Sequence, residues 1–226
     1  MRILLALLLA LPVLALAKDD DFTLIGAAVR TRPEFDGSSD RTIDVHPVLR
    51  YYGDRWFART TQGLLEGGAR WNVQRLFDVG AQLNYEQGPR DGSPDASLGL
   101  HAEIDRTMGR VPLNALVRVR QHLDSDRGAA LDVRGNMGVF GQYGVLAAVF
   151  AQATFANERN FQSYYGVNES GYLMRIIGIQ GAYELTPRWS LTSNLEHHHL
   201  SDAAAKSPFV TQRGGVYFSA GLSYRF

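Results

Sequence analysis

Along most of the chain, apolar residues recur at every second position. Phe77, Val79, Ala81, Leu83 and Tyr85 alternate with Asp78, Gly80, Gln82, Asn84 and Glu86. Further on, Val111, Leu113, Ala115, Val117 and Val119 alternate with a face that holds Asn114, Arg118, Arg120 and His122. Leu131, Val133, Met137 and Val139 alternate with Asp132, Arg134 and Asn136, and the closing stretch repeats the pattern with Val216, Phe218, Ala220, Leu222, Tyr224 and Phe226. A period of two belongs to a strand with one apolar and one polar face, not to a helix. Each run is about ten residues or slightly longer, the length of a tilted strand crossing a bilayer, so the pattern predicts an all-β, closed antiparallel transmembrane barrel with apolar side chains outward. The stretch YGVLAAVFAQATF at 143–155 is apolar on both faces and does not declare its lipid side.

A soluble β-sandwich also alternates, so the connections arbitrate. Long polar segments at 31–41, 87–96, 124–128, 156–170 and 200–213 interleave with short turns at Gly53-Asp54, 73–75, Gly109-Arg110, Gly141-Gln142 and Thr186-Pro187. Bacterial barrels alternate long outer loops with short periplasmic turns in this way. The stretch between the turns at 53–54 and 73–75 is too long for one spanning strand, so a further hairpin is expected around Gly63 to Gly67. Twelve strands result, near 21–30, 43–52, 55–62, 66–72, 76–86, 97–108, 111–123, 129–140, 143–155, 171–184, 188–199 and 214–226; ten is the alternative if that hairpin is not formed. An even count closes the sheet with both ends in the periplasm and leaves no backbone edge unpaired in lipid. Trp56, Trp71, Phe140, Tyr143, Tyr183 and Trp189 fall near the short turns, where an interfacial aromatic girdle belongs.

The start of the chain fits export. MRILLALLLALPVLALAKDD has an arginine, an apolar stretch broken by Pro12, and Ala15-Leu16-Ala17 before charged residues, the layout of a signal peptide cleaved after Ala17. Residues 18–226 then form the barrel. The absence of cysteine excludes a lipoprotein and disulfide staples. With 23 Lys and Arg against 23 Asp and Glu, and no basic stripe, nucleic acid is set aside as a partner. No cofactor is implied.

At the other end, an amphipathic last strand that closes on Tyr224-Arg225-Phe226 resembles the signal read by the barrel assembly machinery, with Tyr224 and Phe226 as its aromatic positions. Other residues are more specific. PEFDGSSDRTIDVHPVLRYYGDRWFART near the start, FQSYYGVNES, and GAYELTPRWSLTSNLEHHHLSDAAAKSPFV with the closing GLSYRF resemble the MipA/OmpV family, most clearly at Ser163–Val167, Asp202-Ala203 with Ser207-Pro208, and Tyr224–Phe226. The middle, 87–140, matches only in strand pattern. The resemblance implies an outer-membrane barrel, in contact with outer-membrane lipid, that works without catalysis. It also implies partners: the family takes its name from interaction with a membrane-bound lytic transglycosylase, and its best-known member is described as a scaffold joining that murein hydrolase to a bifunctional penicillin-binding protein. The family has no catalytic residues to carry over.

Two constellations could still carry chemistry. His199 and Ser201 in EHHHLSD resemble the histidine and serine of outer-membrane lipid A deacylases, where the imidazole activates the hydroxyl. Of the three histidines, His198 must point opposite to His197 and His199, so at most two could share a metal ion, and no metal site is expected. The second constellation faces the lumen. If Met108 pairs with Val111 across the Gly109-Arg110 turn, Arg118 faces His101 with Glu103 diagonal, Arg120 lies one step along, and Asp105 faces Asn114, while Asp132 and Arg134 extend the set on the next strand. Such charges either brace a narrow barrel or line a small pore. The function expected is a non-enzymatic scaffold for murein-remodelling enzymes, with a small channel as the alternative and a lipid-acting hydrolase as the remote one.

Overall fold

The computed structural model describes residues 23–73, 77–87 and 94–226. The expected signal peptide lies outside the described residues, as do most of the turn expected at 73–75 and the centre of the loop at 87–96. The strands are β1 (Leu24–Pro33), β2 (Arg41–Tyr52), β3 (Trp56–Thr61), β4 (Leu64–Val73), β5 (Phe77–Gln87) and β6 (Pro94–Met108). They continue as β7 (Val111–His122), β8 (Ala129–Gln142), β9 (Val145–Ala156), β10 (Gly171–Glu184), β11 (Trp189–Leu200) and β12 (Gly214–Arg225). Each pairs antiparallel with its neighbours in sequence, and β12 returns to β1 from Leu24↔Arg225 to Thr31↔Phe218, so the barrel closes on twelve strands.

Local chemistry sets the turns. The hairpin between β3 and β4 turns at Gln62 and Gly63, with φ of 54° and 82°, the two positive values that a type I′ turn requires. Tyr143 and Gly144, at 54° and 73°, repeat this between β8 and β9. The turn expected at Gly141-Gln142 therefore sits two residues later. A bulge between Gly138 and Phe140 adds a residue to β8 and carries the strand on to Gln142.

The two faces separate as the alternation requires. Leu83, Leu100, Val117, Val133 and Ile177 are exposed on the outside, whereas Glu66, Gln82, Arg118 and Asp132 are buried within. On β9 it is Phe150, Gln152 and Thr154 that face inward. Phe150 lies beneath the Arg134 guanidinium at 3.9 Å and against Gly178, where an added Cβ would come within 2.5 Å of the ring. Trp56, Trp71, Tyr143, Tyr183 and Trp189 are exposed around the end with the short turns, and Phe140 is half-buried there.

The outer end has its own apolar core. Helix α1 (Glu158–Tyr165), read from sequence as part of a polar loop, starts at the Asn157 cap and stops at Gly166, φ 69°. It places Phe161 and Tyr165 against Leu173, Met174, Ile176, Leu200 and Ala204. The wall is least paired at one seam. β3 has six residues, and its register with β2 runs only from Arg50↔Arg59 to Tyr52↔Phe57, so residues 41–49 of β2 are not paired with β3. Pro47, which has no N–H to pair, falls in this stretch.

Candidate functional site

The inward face of a closed barrel brings together side chains that are remote in sequence. Seven of them form a chain of alternating charge across β3 to β8: Glu103, Arg59, Glu66, Arg118, Asp132, Arg120 and Glu86. Glu66 sits at its centre, accepting from Arg59 Nε at 3.0 Å, Arg118 Nη1 at 3.0 Å and Gln82 Nε2 at 2.7 Å. Asp132 accepts from Arg118 Nη2 at 2.8 Å and Thr154 Oγ1 at 2.8 Å, and lies 3.2 Å from Arg120 Nε. The Glu66 and Asp132 side chains are 0 % and 1 % exposed, so these carboxylates are stabilised by guanidinium and amide donors instead of water.

The residues singled out from sequence fall on this inner face, with partners partly different from those their strand register suggests. His101↔Arg118 and Asp105↔Asn114 face each other as expected, but the carboxylates of Arg118 are Glu66 and Asp132, while Glu103 pairs with Arg59 at 2.8 Å. Asn114 donates to both Glu103 and Asp105, at 2.6 and 2.9 Å. Arg134 does not join Asp132. It donates to Asn136 at 2.9 Å, stacks over Phe150, and has no ion pair among the described residues. Arg59 and Glu66, which complete the chain, lie on the short hairpin and were missed by reading β6 to β8 alone.

Above this network lies a cavity of about 210 Å³ at the outer mouth, with two clusters on its wall. In the first, His198 lies between Asp36 at 2.9 Å and Glu196 at 2.8 Å, an arrangement suited to a ring carrying both protons, and stacks on Tyr217 at 3.8 Å. Tyr217 also donates to Asp36 at 2.8 Å, which ties the loop at 34–40 into the mouth. Burial raises the Asp36 carboxyl, but His198, Tyr217 and Arg32 more than offset this and leave it below its ordinary 3.8. In the second cluster, Asp95 lies 2.7 Å from His122 Nδ1, accepts from the Tyr164 hydroxyl at 2.9 Å and pairs with Arg127 at 3.3 Å. Burial, then Glu86 and Asp95, push the Tyr164 hydroxyl up. Glu86, Asp95 and His122 offer three ligand atoms within 4.8 Å of one another, yet Arg120 and Arg127 already hold the two carboxylates, so the donor set is an ion-pair cluster before it is a metal site.

His199 and Ser201 are not brought together. His199 is on the outer face with its ring stacked on His197, while the buried Ser201 accepts from Ala204 N at 3.2 Å as the cap of a short turn. At the closing end, Tyr224 packs edge-on against Trp189 and Phe226, with centroids 5.0 and 4.9 Å apart.

Solved structures of other barrels share this architecture, among them the following three. An outer-membrane channel from Pseudomonas putida F1 superposes with a TM-score of 0.59 at 11% identity, covering 91% of this chain and 96% of that one. The NanC porin gives 0.56 at 11% identity, over 89% of this chain and 100% of its own. LpxR from Salmonella typhimurium gives 0.50 at 10%, over 89% and 100%. At such identities the likeness is one of fold, and with the closed sheet and its apolar exterior it defines an outer-membrane β-barrel, a protein of the bacterial outer membrane. No curated protein matches the sequence. Residues 25–226 match the family described as MltA-interacting protein MipA, and the chain belongs to that family.

Proposed function

We propose that the barrel is a non-catalytic scaffold that holds murein-remodelling enzymes, a lytic transglycosylase and a penicillin-binding protein, at the inner rim of the outer membrane. The observation that carries this reading is the state of the lumen: Glu103, Arg59, Glu66, Arg118, Asp132, Arg120 and Glu86 satisfy one another across the barrel, which turns the inside into bracing and directs function to the surface. The family description, which names interaction with MltA, supports it. The periplasmic surface consists of short turns, and Arg55, Arg110 and Arg188 put an exposed arginine on three of the four described ones. Such turns bury little area, so the contacts are weak and held by charge.

A photo-crosslinking residue in place of Arg55 or Arg110 tests the proposal in intact cells. Capture of a transglycosylase or penicillin-binding protein there, and not from a probe at Ser39 in the outer loop, is the expected result. The outer cavity favours a second reading, a small channel. Absence of capture from any turn, combined with planar-bilayer conductance that changes in Glu66→Gln, would replace the scaffold with that channel.

A further inference from the structure

The outward faces of the strands are largely apolar, but cationic and imidazole groups gather at the outer end of β10 to β12. Arg175 and His199 are partners in register across β10 and β11. His197 is on the same face, its ring stacked on His199 with centroids 6.2 Å apart. Val216 of β12 is the register partner of His197, and the Arg41 guanidinium reaches past Thr31 of β1 to donate to the Val216 carbonyl at 3.0 Å. Arg175 is exposed and has no hydrogen bond or ion pair with any described residue. Arg213, at the end of the row, pairs with the exposed Asp202 at 2.6 Å.

Height decides what these groups meet. At roughly 3.3 Å per residue and a tilt of about 40°, His197 and His199 stand about 20 to 25 Å above Trp189 in the periplasmic girdle, and Arg175 stands about 20 Å above Tyr183. That is the top of an apolar band about 25 Å tall, where hydrocarbon gives way to the headgroups of the outer leaflet. Directly below lie the exposed Ile177, Ile179, Leu195 and Phe218. At this height a lipid-facing arginine costs little and comes within reach of headgroup anions, and guanidinium pairs with phosphate through two parallel hydrogen bonds.

We propose that this patch is a binding site for a phosphate of the phosphorylated glycolipid, lipid A, in the outer leaflet. Arg175 and Arg41 supply the charge, His197 and His199 donate hydrogen bonds, and the acyl chains lie along the apolar stripe beneath. That stripe selects a lipid phosphate over a free one. The site is at the opposite end of the barrel from the periplasmic turns, so its failure leaves the scaffold reading untouched.

The test measures lipid retained by the purified, folded barrel. Delipidated protein is reloaded in detergent with bis-phosphorylated lipid A, with its dephosphorylated form, or with bis-phosphorylated lipid A in excess inorganic phosphate, and bound lipid is quantified by mass spectrometry. The wild-type barrel retains the phosphorylated lipid even against inorganic phosphate. Arg175→Gln combined with His199→Gln lowers retention about tenfold through loss of charge-assisted hydrogen bonds, Arg175→Lys alone lowers it less, and Lys206→Gln at the rim leaves it unchanged. Heat-modifiable gel mobility certifies that each variant is folded. Equal retention by the double variant, equal retention of the dephosphorylated lipid, or displacement by inorganic phosphate would each overturn the proposal.

Discussion

Replacing Glu66 with alanine removes the acceptor that Arg59, Arg118 and Gln82 share. The two guanidinium side chains are 10 % and 4 % exposed, so little solvent reaches them to replace the lost carboxylate. Removing one partner from a buried ion pair costs about 3–5 kcal/mol. Here Arg59 keeps Glu103 and Arg118 keeps Asp132, which places the loss at the lower end, about 3 kcal/mol. Glu66→Gln preserves the shape and one acceptor, and should lose about half as much. Denaturant titration of the barrel folded into lipid vesicles measures both, with the girdle residues Trp56, Trp71 and Trp189 as fluorescent reporters. A shift below about 0.5 kcal/mol for Glu66→Ala would refute the view that the charge chain holds the wall together, because it is what solvated surface pairs give.

Asp36 gives a pH-dependent prediction. A carboxyl held below its ordinary 3.8 adds stability that is present above that value and lost as pH falls through the lower folded value, so the loop at 34–40 should undock only below pH 3.8. Asp36→Asn should undock it at neutral pH, read as lost exchange protection of the Thr211 and Gln212 amides, which donate to the Gly37 carbonyl; protection in that variant equal to the wild-type barrel's at neutral pH would count against this. Val117→Arg or Val133→Arg puts a charge on the lipid face at a cost of roughly 2–4 kcal/mol, and should exceed Arg134→Ala in the same titration. Deleting Phe226 removes an aromatic contact of Tyr224 and should reduce outer-membrane yield and heat-modifiable mobility. Ser201→Ala should lower stability by about 1 kcal/mol as a lost cap and leave lipid chemistry in the membrane unchanged, whereas a hydrolase would lose its nucleophile.

The readability of each element in the sequence follows from what its two faces meet. β7 was legible because Arg118, Arg120 and His122 line a polar lumen while Val117 and Val119 meet lipid, so the period of two survives intact. β9 was not, because Phe150 packs inward on Gly178 and beneath Arg134, a contact that makes an inner position apolar and erases the contrast. Helix α1 carried its signals, Asn157 before it and Gly166 after it, but eight residues give little periodicity between them. The strand register of β6 with β7 was readable from the Gly109-Arg110 turn, yet the carboxylate that Arg118 uses most centrally comes from Glu66 on β4, across the lumen, which no hairpin register specifies.

That cross-lumen pairing bears on where the protein works. A conducting barrel keeps charges on its wall available to ions, and an enzyme keeps a nucleophile beside a base; in this lumen the central carboxylates are held by arginines from facing strands, while His199 and Ser201 face different surroundings. Cationic and imidazole groups also stand on the outside: Arg175 and the two stacked imidazoles at the outer end of β10 and β11, and Arg55 and Arg110 on the periplasmic turns. If the lumen is bracing, Glu66→Gln should soften the barrel without altering either capture at the periplasmic turns or lipid A retention at β10 to β12. A change in one of these, at equal folded yield, would mean that the interior charges act on the surface and do more than hold it in shape.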